Sequence, residues 1–191
     1  MSSHLPAPGF EPNFFSDYSV ILDHSVADVF TVVGTSAGHK RVTRLSTMCS
    51  GFELLHNDTI AISQASSLKD VSVRTASSAE NEETSMRVLP RQFFVLQETA
   101  PVLFGLLKVQ VTLAGTLTWD EEFKITLYES KPKSGLEILV WKLRVFERLE
   151  EKRTKVTETV RGKCPVWLRG IVQRQTRSGH IAHMDAYHTL F

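Results

Sequence analysis

The chain has 191 residues, 42% hydrophobic and 23% charged, with a formal net charge of +1. That length suits one domain with room for an internal cavity, while the composition argues against intrinsic disorder and the near-zero charge against a field that attracts nucleic acid. Cys49 and Cys164 are too few for a disulfide framework and form no Cys-x-x-Cys pair, so a reducing, cytoplasmic setting is expected.

Residues 1–15 carry three prolines and little periodicity, and read as an extended arm whose end Phe14 and Phe15 can pin to the body. No basic leader precedes an apolar run and no stretch of about 18 apolar residues occurs, so no integral membrane segment is expected. Transient membrane contact stays open. Residues 16–191 are expected to form one domain, opening with a short strand in "DYSVILDHS". Ser25 then precedes Val26, Val29, Phe30 and Val33 at helical spacing, with Gly34 placed to end the helix. "TSAGHKRVTRLS" supplies a second short helix or turn.

Beyond Gly51 the pattern is strand after strand. "GFELLHNDTIAIS" predicts two short strands around an Asn57-Asp58 turn, and five more strands follow in 91–99, 107–119, 122–130, 136–150 and 155–163. Their links are short and polar, as in an antiparallel meander. The polar segment 66–85 reads as a loop or an edge hairpin and is a candidate gate, with its acidic residues between Glu80 and Glu83. Pro165 suits the first turn of a long terminal helix on which Leu168, Ile171, Val172, Gln175, Ala182 and Ala186 form a stripe. Small residues on or beside it, among them Gly179 and Ala182, predict a gap between helix and sheet, where a ligand would sit.

This order of elements resembles the helix-grip arrangement of the START and birch-pollen-allergen superfamily, also called SRPBCC, which includes polyketide cyclase-like proteins. The resemblance is carried by "DYSVILDHSVADVFTVV" at the start and "KRTKVTETVRGKCPVWLRGIVQRQTRSGHIAHMDAYH" at the end; the middle, "RQFFVLQETAPVLFGLLKVQVTLAGTLTWDEEFKITLYES", is similar to fungal members. It implies an α+β fold, a curved antiparallel sheet wrapped around the C-terminal helix, and an apolar cavity for a lipid, sterol, polyketide or other hydrophobic small molecule. Most such proteins bind or carry, and some are cyclases, hydrolases or condensing enzymes, so the fold alone does not choose.

Strand alternation places Trp141, Leu143 and Val145 inward and Lys142 and Arg144 in solvent. Glu147 and Glu158 then fall opposite each other across a turn near Lys152-Arg153, either as a cavity pair with one raised pKa, suited to general acid or base work, or as solvated strand ends. Trp119, Tyr128, Trp141 and Trp167 are able to stack on a planar ligand, or to serve as core and rim residues. His180 and His183 share a helix face, but no His-Glu-x-x-His and no cysteine cluster accompanies them, so neither metal nor cofactor is expected. The expected lining is Trp119, Tyr128, Trp141, Leu143, Val145, Ile171, Gln175 and Ala182. A carrier of a hydrophobic molecule is the leading expectation; a cyclase or lyase using Glu147 or Glu158, and an interaction scaffold with a filled core, are the alternatives.

Overall fold

The computed structural model describes residues 5–78, 86–102 and 107–191. Period-two burial shapes its first long strand, β2 (Phe14–Leu22), in which Phe14, Ser16, Val20 and Leu22 are buried and the alternate positions are open. The outer end of the Phe14 ring packs on Gly162, where a Cβ would meet it at 1.9 Å, so only glycine permits this approach. Ser25 caps α1 (Val26–Val29) by accepting the Asp28 amide at 3.2 Å. The chain continues through a π turn (Phe30–Gly34) into α2 (Ser36–Thr43), capped by Thr35.

The meander runs through β3 (Cys49–Ser63), β5 (Met86–Val102), β6 (Leu107–Asp120), β7 (Ile125–Pro132), β8 (Leu139–Glu150) and β9 (Arg153–Lys163). With β2 these strands make an antiparallel sheet in the order β2-β9-β8-β7-β6-β5-β3. Two short strands, β1 (Leu5–Pro6) and β4 (Val71–Ser72), pair separately. The expected Asn57-Asp58 turn is instead an irregularity within one continuous strand: pairing with β5 shifts register between Leu54 and Asn57 and then resumes. Asp58 has a partner that a turn would deny it, because Arg91 reaches it from β5 at 2.6 and 2.8 Å.

A short 3-10 turn (Val166–Leu168) leads into α3 (Arg169–Asp185), which lies in the concavity of the sheet. Edge strand β2 is tied to it by polar contacts. The Phe15 amide donates to Gln173 at 2.9 Å, the Gln173 amide donates back to the Phe15 carbonyl at 2.7 Å, and Tyr18 donates to Asp185 at 2.9 Å. These contacts use edge groups that would otherwise be open to another chain.

Both faces of the sheet are covered. On the concave face one end is filled by Phe30, Val33, Phe146, Met184, Tyr187 and their neighbours. On the convex face Ile60, Leu89, Leu127, Trp141 and Leu143 pack beneath Leu68, Val71 and Val73 from the segment expected to be a gate. That segment is bolted down: Arg91 donates to the carbonyls of Val73 and Ala76 at 2.7 and 2.9 Å, and Glu129 accepts the Val73 amide at 2.9 Å and the Ser72 hydroxyl. Residues 66–78 therefore cover the convex face, away from the concave side; the Glu80 to Glu83 stretch lies outside the described residues.

Candidate functional site

Where the concave core ends, α3 stands off the sheet and leaves a cavity of about 270 Å³. Gly179 helps to create it, since a Cβ at that position would meet only the Met48 methyl, at 3.9 Å. Leu96, Leu113, Val140, Val160 and Val172 form apolar walls, and Tyr128, Lys142, Arg144, His180 and His183 give a polar floor. Apolar walls with a few convergent polar groups are the usual composition of a small-molecule site, although this volume lies just under the usual range of about 300–1,000 Å³.

The floor is organised by Glu158, which is 0% exposed. Strand pairing sets Arg144 directly across from it, and the Arg144 Nε–H donates to its Oε2 while Nη1 donates to the Val33 carbonyl at 2.7 Å. Tyr187 donates to the same carboxylate oxygen at 3.2 Å. The other oxygen, Oε1, lies 3.3 Å from Lys142 Nζ and 3.2 Å from His180 Nε2. Ser16 and the second His180 nitrogen are 2.7 Å apart, fixing the ring. Burial opposes charge on Glu158, but the fields of Arg144 and Lys142 and the His180 contact outweigh it and hold the carboxyl well below the usual range. Glu158 is thus a fixed anion, poorly suited to trade protons near neutrality.

The neighbouring groups are neutral for a different reason. Burial pushes His39 down to about 3, reinforced by Arg144 and Lys142, and it sits edge-on to Phe52, Phe94 and Tyr128. Burial likewise lowers His183 to about 4. A carbonyl only accepts, so the 2.8 Å contact with the Val42 oxygen places the His183 proton on Nε2 and leaves Nδ1 as an acceptor. Burial raises the Tyr128 phenol, which stays an uncharged hydroxyl, and raises Glu98 in the same lining, where Lys142 tempers the effect.

Of the expected lining, Tyr128 and Gln175 do face the cavity. Trp119 is on the concave side but packs against the closed end of the core. Trp141, Leu143 and Val145 face the other way, into the convex core, where the Trp141 indole lies 3.4 Å from the Val71 carbonyl. Alternation on β8 was read as one apolar and one solvated face, yet both faces are buried, and Lys142 and Arg144 are accommodated by their ion pairs with Glu158. The Glu147–Glu158 pair does not form: Glu147 stands opposite Lys155 and binds it at 3.3 Å, while Glu158 stands opposite Arg144.

The helix stripe is partly rotated. Val172 and Gln175 of the expected stripe line the cavity, but Ile171 is 47% exposed and Ala182 is exposed, while Thr176, Gly179, His180 and His183 also face inward. Apolar residues misled here because the inward face carries histidines whose polar atoms are met by Ser16 and the Val42 carbonyl. Trp167 is 71% exposed at the start of the terminal helical segment, away from the cavity lining. Gly179 lies at the gap that the small residues of the helix predict. His39 and Glu98 are lining residues the sequence does not single out, and the signal that Lys142 and Arg144 turn inward rather than to solvent is a pair of cations spaced two apart in an otherwise apolar strand. Among the described residues, no group of His, Cys, Asp and Glu is placed to hold a metal ion, and no helix is long and apolar enough to cross a membrane.

No known protein family and no curated protein matches the chain by sequence. Solved structures match it closely in shape. An aromatase/cyclase of Streptomyces sp. R1128 superposes with a TM-score of 0.58 at 10% identity, covering 92% of this chain and 91% of that one. The chain has the helix-grip fold. A truncated norcoclaurine synthase of Thalictrum flavum (TM-score 0.56, 14% identity, 92% and 91% covered) and a START superfamily protein of Mycobacterium smegmatis (0.53, 7%, 92% and 94%) share that helix-grip arrangement. At such identities the likeness is one of fold, and function must be argued from the cavity.

Proposed function

We propose that this helix-grip protein binds a compact, largely apolar small molecule between α3 and the sheet, as a carrier or sequestering protein. The observation that carries the reading is the cavity itself: apolar walls, a polar floor and about 270 Å³ of space, beside a helix position, Gly179, that leaves the space empty. That volume favours one or two rings over a long-chain lipid. The fixed ionisation of Glu158 weighs against a general acid or base at that position and therefore favours binding over the cyclase alternative.

Uptake of the neutral fluorescent probe N-phenyl-1-naphthylamine tests this. Gly179→Phe places a ring in the cavity and is expected to lower uptake at least tenfold, while Ala182→Phe, on the exposed face of the same helix, is expected to leave it unchanged. Equal uptake by the wild type and both folded variants would remove the reading.

A further inference from the structure

We propose that the ligand is an organic carboxylate, a compact ring system whose acid group docks on the Lys142 ammonium. The inference rests on the cavity-binding reading and adds the chemical class. It follows from the inventory of charges on the cavity floor. β8 contributes Lys142 and Arg144, and β9 contributes Glu158, the carboxylate that both cations approach. The remaining titratable groups facing this space are Tyr128 from β7, Glu98 from β5, His39 from α2, and His180 and His183 from α3.

Arg144 is anchored at two points. It is buried, with Nε on Glu158 and Nη1 on the Val33 carbonyl, and it neutralises Glu158 by itself. Lys142 is therefore a second cation on a carboxylate that already has one. Its ammonium carries three N–H donors. Among the described residues its one ion pair is with Glu158 Oε1 at 3.3 Å, an oxygen also approached by His180 Nε2 at 3.2 Å. The Tyr128 ring supports the ammonium from one side, 5.1 Å from the ring centre. The side chain remains 21% exposed and lines the cavity. Glu98 from β5 lines the same space, and Lys142 is the cation whose field tempers its raised carboxyl.

A cation held against apolar walls is costly unless it is paired. A ligand carboxylate satisfies the spare Lys142 donors and gives each of the two β8 cations its own carboxylate partner. The ligand's rings then lie along Leu113, Val140 and Val172, under Gly179. Tyr128, in the same lining, adds a phenolic O–H to the polar groups around this space.

Isothermal titration with 2-naphthoate and its uncharged isostere naphthalene-2-carboxamide tests the proposal. Wild-type protein is expected to bind the acid at least about tenfold more tightly, the scale of one charge-assisted hydrogen bond. Lys142→Met should erase that preference while keeping carboxamide affinity within about threefold, and Lys142→Arg should restore much of it. Circular dichroism confirms that each variant is folded. Equal affinity of the wild type for acid and carboxamide, or an undiminished preference in folded Lys142→Met, overturns the proposal. If N-phenyl-1-naphthylamine is still taken up in that case, the cavity reading stands. Failure of all three compounds to bind overturns the cavity reading together with the proposal.

Discussion

Replacing Glu158 by Gln removes the carboxylate that Arg144 and Lys142 share without changing side-chain size. Arg144 would be left buried with a neutral amide where its counterion was, and the Tyr187 hydroxyl would lose a charged acceptor. Breaking a buried pair by removing one partner costs about 3–5 kcal/mol, because the remaining charge stays desolvated and unpaired. For a domain of this size each kcal/mol lowers Tm by about 2–4 °C, so a fall on the order of 10 °C is expected. Urea unfolding followed by tryptophan fluorescence gives the free energy, with an unchanged m-value showing that the folded state kept its compactness. The partner experiment removes both charges. Glu158→Leu combined with Arg144→Met is expected to recover at least about half of the loss, because an apolar pair of similar volume has no desolvated charge to support. A Glu158→Gln cost below about 1 kcal/mol, or a double variant no better than the sum of its single variants, would refute the reasoning.

Acid should destabilise the protein through its two buried neutral histidines. Burial keeps His39 and His183 neutral in the folded state, at about 3 and about 4, so their contribution is complete above the unfolded value and is lost as pH falls toward those folded values. The unfolded value is about 6.5, so each histidine contributes a slope of up to about 1.4 kcal/mol per pH unit below it. Urea melts at pH 6 and pH 5 should differ by about 2 kcal/mol, and equal stabilities would contradict the neutral, buried assignment. Glu158 acts lower still: its depressed carboxyl contributes stability that is complete above the unfolded glutamate range and is lost as pH falls from that range toward the folded value. Trp141→Ala should cost about 3–5 kcal/mol in urea while leaving probe uptake intact, since its ring fills the convex core; loss of uptake in a folded variant would put the indole back in the cavity. Glu147→Ala should change stability by less than about 1 kcal/mol, as expected for the exposed pair with Lys155.

Much of the architecture was legible because its signals are local. Ser25 before a helical run, five of the meander strands and Pro165 before the last helix all follow from capping, periodicity and turn chemistry. The site was less legible because facing is a tertiary property. On β8 the alternation of Trp141, Leu143 and Val145 with Lys142 and Arg144 is equally compatible with either orientation. What decides it is the cover supplied by residues 66–78 on one side and the partner Glu158 on the other, neither of which β8 itself encodes. The helix phase failed for a related reason: Ala182 and Ile171 look buried by type, whereas His180 and His183 are inside because Ser16 and the Val42 carbonyl meet them from other elements. Glu158 itself was placed on the correct face, but its partner was misassigned by the register of the β8–β9 hairpin.

The central claim, a ligand cavity under α3 at Gly179, is tested most directly by the methyl resonances of the methionines. Met48 carries the atom nearest to the missing Gly179 side chain, Met184 is fully buried in the closed core, and Met86 begins β5 outside the cavity lining. Titrating methyl-13C-methionine protein with N-phenyl-1-naphthylamine should move the Met48 resonance by ring-current shifts while Met86 and Met184 hold their positions. A stationary Met48 with the probe bound, or a shift confined to Met86, would place the ligand elsewhere and contradict the account.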